Sequence, residues 1–110
     1  MLGKIETMAM VFDILEEEKR RLLSLKERYE RQLSELPKGA PSRKKRWNRE
    51  YLYLAYRESG KVKFEYIGPV DSEAAQDVEV KVRRRKDLQE KLSRVEENLQ
   101  DVERGLRGRR

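Results

Sequence analysis

The chain contains no cysteine and no histidine. The first absence excludes disulfides and thiolate chemistry. The second removes the commonest general base and the commonest metal ligand together. Apolar residues are also scarce, at 36% of 110 positions, and no apolar run approaches the roughly 18 residues that a membrane span needs. Lys4, Glu6 and Asp13 interrupt the stretch from Met1 to Leu15, a pattern unlike a signal peptide. A cytoplasmic protein without membrane contact is therefore expected. Phosphate-loop, nucleophile-elbow and metal-ligand spacings are missing as well. The carboxylates at Glu16-Glu17-Glu18 and Glu96-Glu97 stand among Lys and Arg, as solvated helix faces do. Neither catalysis nor a cofactor is expected.

Charge is what the chain has in abundance. Charged residues make up 44% of it, against roughly a quarter in an average globular domain. So polar a chain cannot build a thick core, but it can build long helices that each bury one stripe. Its length allows one domain or less. The net charge of +6 favours a polyanionic partner, nucleic acid above all. That charge is unevenly placed. Residues 38–63 hold nine Lys or Arg against two Glu, a local charge of +7, and the remainder nearly cancels.

Two helices are expected on either side of this segment. In the first, residues 5–36, Met8, Leu15, Leu22, Tyr29 and Leu36 recur every seven residues. Ile5, Phe12 and Leu33 share the other seam position with Lys19 and Lys26. Val11, Leu23 and Leu25 widen the stripe. Pro37 and Gly39 end it. The second helix, residues 71–106, has Asp71 or Ser72 as its N-cap and Glu73 in its first turn. Leu88, Leu92, Val95, Leu99, Val102 and Leu106 then alternate by four and three, a coiled-coil seam. Upstream that seam would continue through Arg85, Lys81, Val78 and Ala74. Gly105 and Gly108 should fray the end, leaving residues 107–110 as a basic tail.

Between the helices, residues 40–68 read as a sheet. Tyr51 to Arg57 and Val62 to Ile67 are rich in strand formers, and Ser59-Gly60 supports a two-residue turn. That turn sets Arg57 against Val62, Ala55 against Phe64 and Tyr53 against Tyr66. One face then carries Tyr51, Tyr53, Ala55, Val62, Phe64 and Tyr66. The other carries Leu52, Leu54, Tyr56, Lys63, Glu65 and Ile67. Ser42 to Arg46 can add a third strand through a turn near Trp47-Asn48-Arg49. The alternation leaves open which face is covered.

The run Leu36-Pro37-Lys38-Gly39, Tyr51-Leu52-Tyr53-Leu54, Tyr56-Arg57-Glu58, Gly60-Lys61-Val62-Lys63 and Tyr66-Ile67-Gly68-Pro69 resembles a small prokaryotic family of uncharacterised coiled-coil proteins. In that family a YYL-type strand, a GKVK turn and a YIG close sit between two charged helices. Some members resemble the small partners of nucleotidyltransferase-type toxins, which implies an antitoxin-like role. The segment is similar, more loosely, to the arm-type DNA-binding sheet of tyrosine recombinases. There a basic strand, an aromatic strand and a third strand precede Gly, Ser or Thr, and Glu-Ala opening a helix, as Gly68, Ser72, Glu73 and Ala74 do here. This resemblance implies that Arg43 to Arg49 and the tyrosine strand contact the DNA major groove. The chain departs from it by lacking a recombinase catalytic domain and by having far longer helices. The plan of two coiled-coil helices with a hairpin between is similar to that of prefoldin β subunits in architecture alone.

The expected fold is therefore α+β: two long antiparallel coiled-coil helices with a small antiparallel sheet of two to three strands inserted between them at the tip. The expected function is non-catalytic nucleic-acid binding, with DNA preferred. The contacts would come from Arg43, Lys44, Lys45, Arg46, Arg49, Tyr51, Tyr53, Lys61, Lys63, Arg84 and Arg85. Lys81 to Lys86 would sit near the sheet and extend its basic surface. A protein-interaction adaptor or antitoxin is the alternative. The narrow helical stripes point to a homo-oligomer or to a protein partner bound through the helices.

Overall fold

Ser59-Gly60 and Trp47-Asn48 divide the middle of the chain into three strands. A computed structural model describes residues 3–108, and side-chain surroundings from Thr7 onward. The element order is α1 (Gly3–Ser34), β1 (Ala40–Arg46), β2 (Arg49–Glu58), β3 (Lys61–Pro69) and α2 (Glu73–Arg107). This is the expected α+β arrangement, with the third strand present. The Ile5 side chain and residues Arg109 and Arg110 lie outside the described residues. No described helix is long and apolar enough to cross a membrane.

Contacts gather into two units. One combines α1 up to Gln32 with α2 from Leu88 onward; the other is Leu33–Asp87.

In the helical unit, Leu22, Val95, Leu99 and Val102 form the buried cluster, with Leu15, Leu25, Tyr29 and Leu106 against it. Leu15 lies against Gly105, while Leu22 meets residues earlier in α2. As α1 advances its neighbours on α2 recede, so the helices are antiparallel. Gly105 does not fray the helix. It stays within α2, and a Cβ there would stand 2.9 Å from Leu15 Cδ1. The glycine thus gives Leu15 its space. Met8, by contrast, is 54% exposed. It precedes Leu15 by about two turns, which carries it past the level at which α2 ends, so the expected seam stops short of it. Lys19 and Lys26 are half-buried in the seam, a position lysine tolerates because its methylene stem can cover apolar surface while the ammonium stays in water. On the outer face, Arg21 donates to Glu18 and holds its carboxyl below the usual carboxylate range.

In the sheet unit the strand order is β1-β2-β3, all antiparallel. Ser59 (φ 52°) and Gly60 (φ 77°) both take positive φ, as a type I′ turn requires. They set the expected register: Arg57 opposite Val62, Ala55 opposite Phe64, Tyr53 opposite Tyr66. The register then shifts, with Leu52 opposite Gly68. Ile67 is the extra residue of a β-bulge, so the simple alternation that put it beside Glu65 ends at Tyr66. The chain reaches β1 through Gly39, whose φ is 122° and where a Cβ would stand 2.5 Å from the Ala55 carbonyl oxygen. Only glycine fits that approach.

Ser72, rather than Asp71, caps α2. Its Oγ accepts from the Ala75 N–H at 3.2 Å and donates to the Pro69 carbonyl at 2.6 Å. The face of α2 that follows is Ala75, Val78, Glu79, Val82 and Arg85, all buried or half-buried, whereas Ala74 and Lys81 are exposed. The heptad expected through Lys81 and Ala74 is not continued. This stretch meets a sheet rather than a partner helix, and a straight helix repeats nearer 3.6 residues than 3.5.

Candidate nucleic-acid interface

Strand alternation sorts side chains onto two faces, and burial tells them apart. Leu52 and Leu54 are buried on one face, while Val62, Phe64 and Tyr66 on the other are about half exposed. Arg43 stands opposite Leu52 and so shares the buried face; its guanidinium bonds Glu79 of α2 at 2.7 Å. The first turns of α2 therefore cover the leucine face, and the aromatic face is the open one.

The open face is sorted by charge as well. Register places Lys44 beside Tyr51, Ser42 beside Tyr53, and Arg46 beside Arg49. Arg57 pairs with Val62 on the same side. Four cations thus share one face with Tyr51, Tyr53, Phe64 and Tyr66. The carboxylates of the strands, Glu50, Glu58 and Glu65, all stand opposite residues of the leucine face. A carboxylate does approach Arg49 from beyond β3: Asp71, at 3.7 Å, with both groups solvated.

The rings pack on one another. Tyr66 lies 5.4 Å from Tyr53, edge to face, and 6.2 Å from Tyr51. The Lys44 ammonium sits 4.0 Å from the Phe64 centroid and 5.0 Å from that of Tyr53. Such contacts hold a cation over the ring faces without an anion. No ion pair engages Lys44, Arg46 or Arg57 among the described residues.

The expected contact residues divide accordingly. Lys44, Arg46, Arg49, Tyr51 and Tyr53 come together on the open face. Arg43 is turned to the other side and held by Glu79. Lys45 faces Glu50, Lys61 faces Glu58, and Lys63 pairs with Glu58 at 3.2 Å, all on the leucine side. Arg84 is exposed on α2, and Arg85 donates to the Leu33 carbonyl at 3.2 Å. The Lys81 to Lys86 cluster belongs to the sheet unit, but on the helix that covers its other face. Phe64, Tyr66 and Arg57 complete the open face and were not among the expected contacts. The register drawn from Ser59-Gly60 already contained the signal for them.

Clefts that could enclose a small substrate are shallow. A groove of about 450 Å³ is lined by Pro41, Arg43, Glu79, Val82 and Arg83. Its Arg43 and Glu79 satisfy each other. Among the described residues no cluster of three metal-ligating side chains occurs.

A family model described as a domain of unknown function (DUF6788) matches residues 15–76. The match runs from within α1, through the whole sheet, into the first turn of α2. No curated protein and no solved structure matches the chain.

Proposed function

The chain belongs to the family described as a domain of unknown function (DUF6788), and for this member we propose a non-catalytic nucleic-acid-binding module that works through the open face of its sheet. One observation carries the reading: the strands put Lys44, Arg46, Arg49 and Arg57 on the face with the rings and their carboxylates on the other. Cations neutralise phosphates and release counterions, and exposed rings offer π-faces to bases. A face that merely kept the protein in solution would mix both signs of charge, as the leucine side does. The chemistry of the chain, without histidine or cysteine, supports a binder rather than an enzyme. A cytoplasmic location is part of the same proposal. Self-association belongs to the proposal too, supported by the exposure of Met8, Val11 and Ile14 on α1.

A salt titration tests the proposal against the adaptor reading. Labelled DNA and RNA oligonucleotides should bind at 50 mM salt and weaken steeply by 200 mM, while polyglutamate of equal charge binds far less. Equal binding of polyglutamate would favour an acidic protein partner. No binding of any oligonucleotide at 50 mM salt would end the nucleic-acid reading.

A further inference from the structure

Trp47 is 97% exposed. Tryptophan is rarely so bare, and this one fills no space inside the fold. It also stands in an unfavourable backbone position. Trp47 has φ 61°, whereas Asn48, the second residue of the same turn, does not take positive φ. Positive φ at the first turn residue alone is the type II′ pattern, in which glycine normally holds that place. A bulky side chain there is strained by its own backbone. Neither burial nor turn chemistry explains the indole, so its use lies outside the chain.

The surroundings identify what it meets. Arg46 and Arg49 flank the turn, paired with each other in register on the open face, and Lys44 and Tyr51 form the next pair on that face. Alternate residues on one face of a strand repeat about every 6.6 Å. Moving inward from Trp47, a ligand meets an indole, then two guanidinium groups, then an ammonium and a phenol. Ring and cation in succession suit a chain that alternates bases with phosphates. Stacking needs the flat face of a base, which an intact duplex hides and an unpaired strand offers.

We infer that Trp47 is a stacking residue for unpaired bases, and that the ligand of the open face is a single-stranded nucleic acid. The inference rests on the nucleic-acid reading and goes further by naming strand state and an anchor residue. Phosphates following Arg46, Arg49 and Lys44 bring the strand across the Tyr51–Tyr66 ring pair.

The chain has one tryptophan, so its emission reports this position alone. The protein is titrated with a 15-nucleotide oligothymidine, the matching oligouridine and a 15-base-pair duplex, with binding followed independently by anisotropy of an end label. Single strands should quench Trp47 emission with the same midpoint as the anisotropy. Trp47→Gly should weaken single-strand binding about five- to a hundredfold. The salt slope should not change, because no charge is lost, and the melting temperature should not fall, because the turn is relieved. Trp47→Phe should retain much of the affinity. Single strands that bind while emission stays constant and Trp47→Gly keeps its affinity would refute the role of Trp47 and leave the nucleic-acid reading standing. Tighter binding of the duplex than of either single strand would refute the strand state alone. Failure of all three oligonucleotides to bind would remove both readings.

Discussion

Removing two cations from the open face should change the salt dependence of binding by a calculable amount, and removing two from the other face should not. Arg46 and Arg57 stand on the open face without an ion pair among the described residues. Lys61 and Lys63, in the same hairpin, face Glu58 and Tyr56 on the leucine side. If Lys44, Arg46, Arg49 and Arg57 each neutralise one phosphate of a single strand, the log–log salt slope should be about −2.8, at roughly 0.7 per phosphate. Between 50 and 200 mM salt the affinity would then fall about fiftyfold. Arg46→Gln with Arg57→Gln halves the neutralised charge, so the slope should drop to about −1.4 and the same step in salt should cost about sevenfold. Lys61→Gln with Lys63→Gln makes the same change in net charge and should leave the slope near −2.8. Anisotropy at four salt concentrations on the three proteins measures all of this. Equal slopes for the two double variants would mean that overall charge, and not the face, governs binding. The division of the sheet into a binding side and a covered side would then be wrong.

Other expectations concern stability. Leu22 is 1% exposed within a cluster of four buried residues, so Leu22→Ala should cost about 2–5 kcal/mol, visible in a denaturant melt followed by helical circular dichroism. A loss below about 0.5 kcal/mol, within the range of surface substitutions, would mean the helices do not pair through this seam. Gly39→Ala places a Cβ 2.5 Å from the Ala55 carbonyl oxygen at φ 122°. It should destabilise the sheet by at least about 1 kcal/mol, since positive φ and a backbone clash add; hydrogen exchange of the β1 and β2 amides would show it, and unchanged protection would contradict the close approach. Ser72→Ala removes the cap on α2 and should cost about 1 kcal/mol, whereas Ser72→Thr, which keeps a hydroxyl to accept from Ala75 and donate to Pro69, should restore most of it. Similar melts for both variants would mean that the cap is idle.

The hairpin was legible because a two-residue turn leaves no freedom of register. Once Ser59-Gly60 was placed, Tyr53 had to face Tyr66. The seam from Leu88 to Leu106 was legible for a similar reason, since heptad spacing dictates which residues face a partner helix. What escaped depends on contacts made at long range. Alternation gives two faces but does not say which is covered; that follows from the reach of Glu79 to Arg43. A basic residue in the sequence is only a charge. Arg43 and Arg85 look no different from Arg46 until one is found against Glu79 and the other against the Leu33 carbonyl. The bulge at Ile67 was hidden because the flanking strand pattern continues without a break. Trp47 lay in view as an aromatic beside a turn, yet its positive φ has no signature in residue type.

Sorting charge by strand parity also constrains how the family can vary in length. A single residue gained or lost in β2 directly after Trp47-Asn48 would turn the rings of β2 and β3 to the side of Arg43 and Lys45 and leave Lys44 and Arg46 beside the carboxylates, exchanging the two faces downstream of the change. Gains or losses in pairs would lengthen the sheet and leave its sides intact. Relatives that share the open face should therefore keep an even count of residues between these two turns, or offset an odd one with a second bulge such as that at Ile67. Loop lengths elsewhere carry no such parity. The spacing of two turns would then serve as a marker for the surface, even where every tyrosine had been replaced.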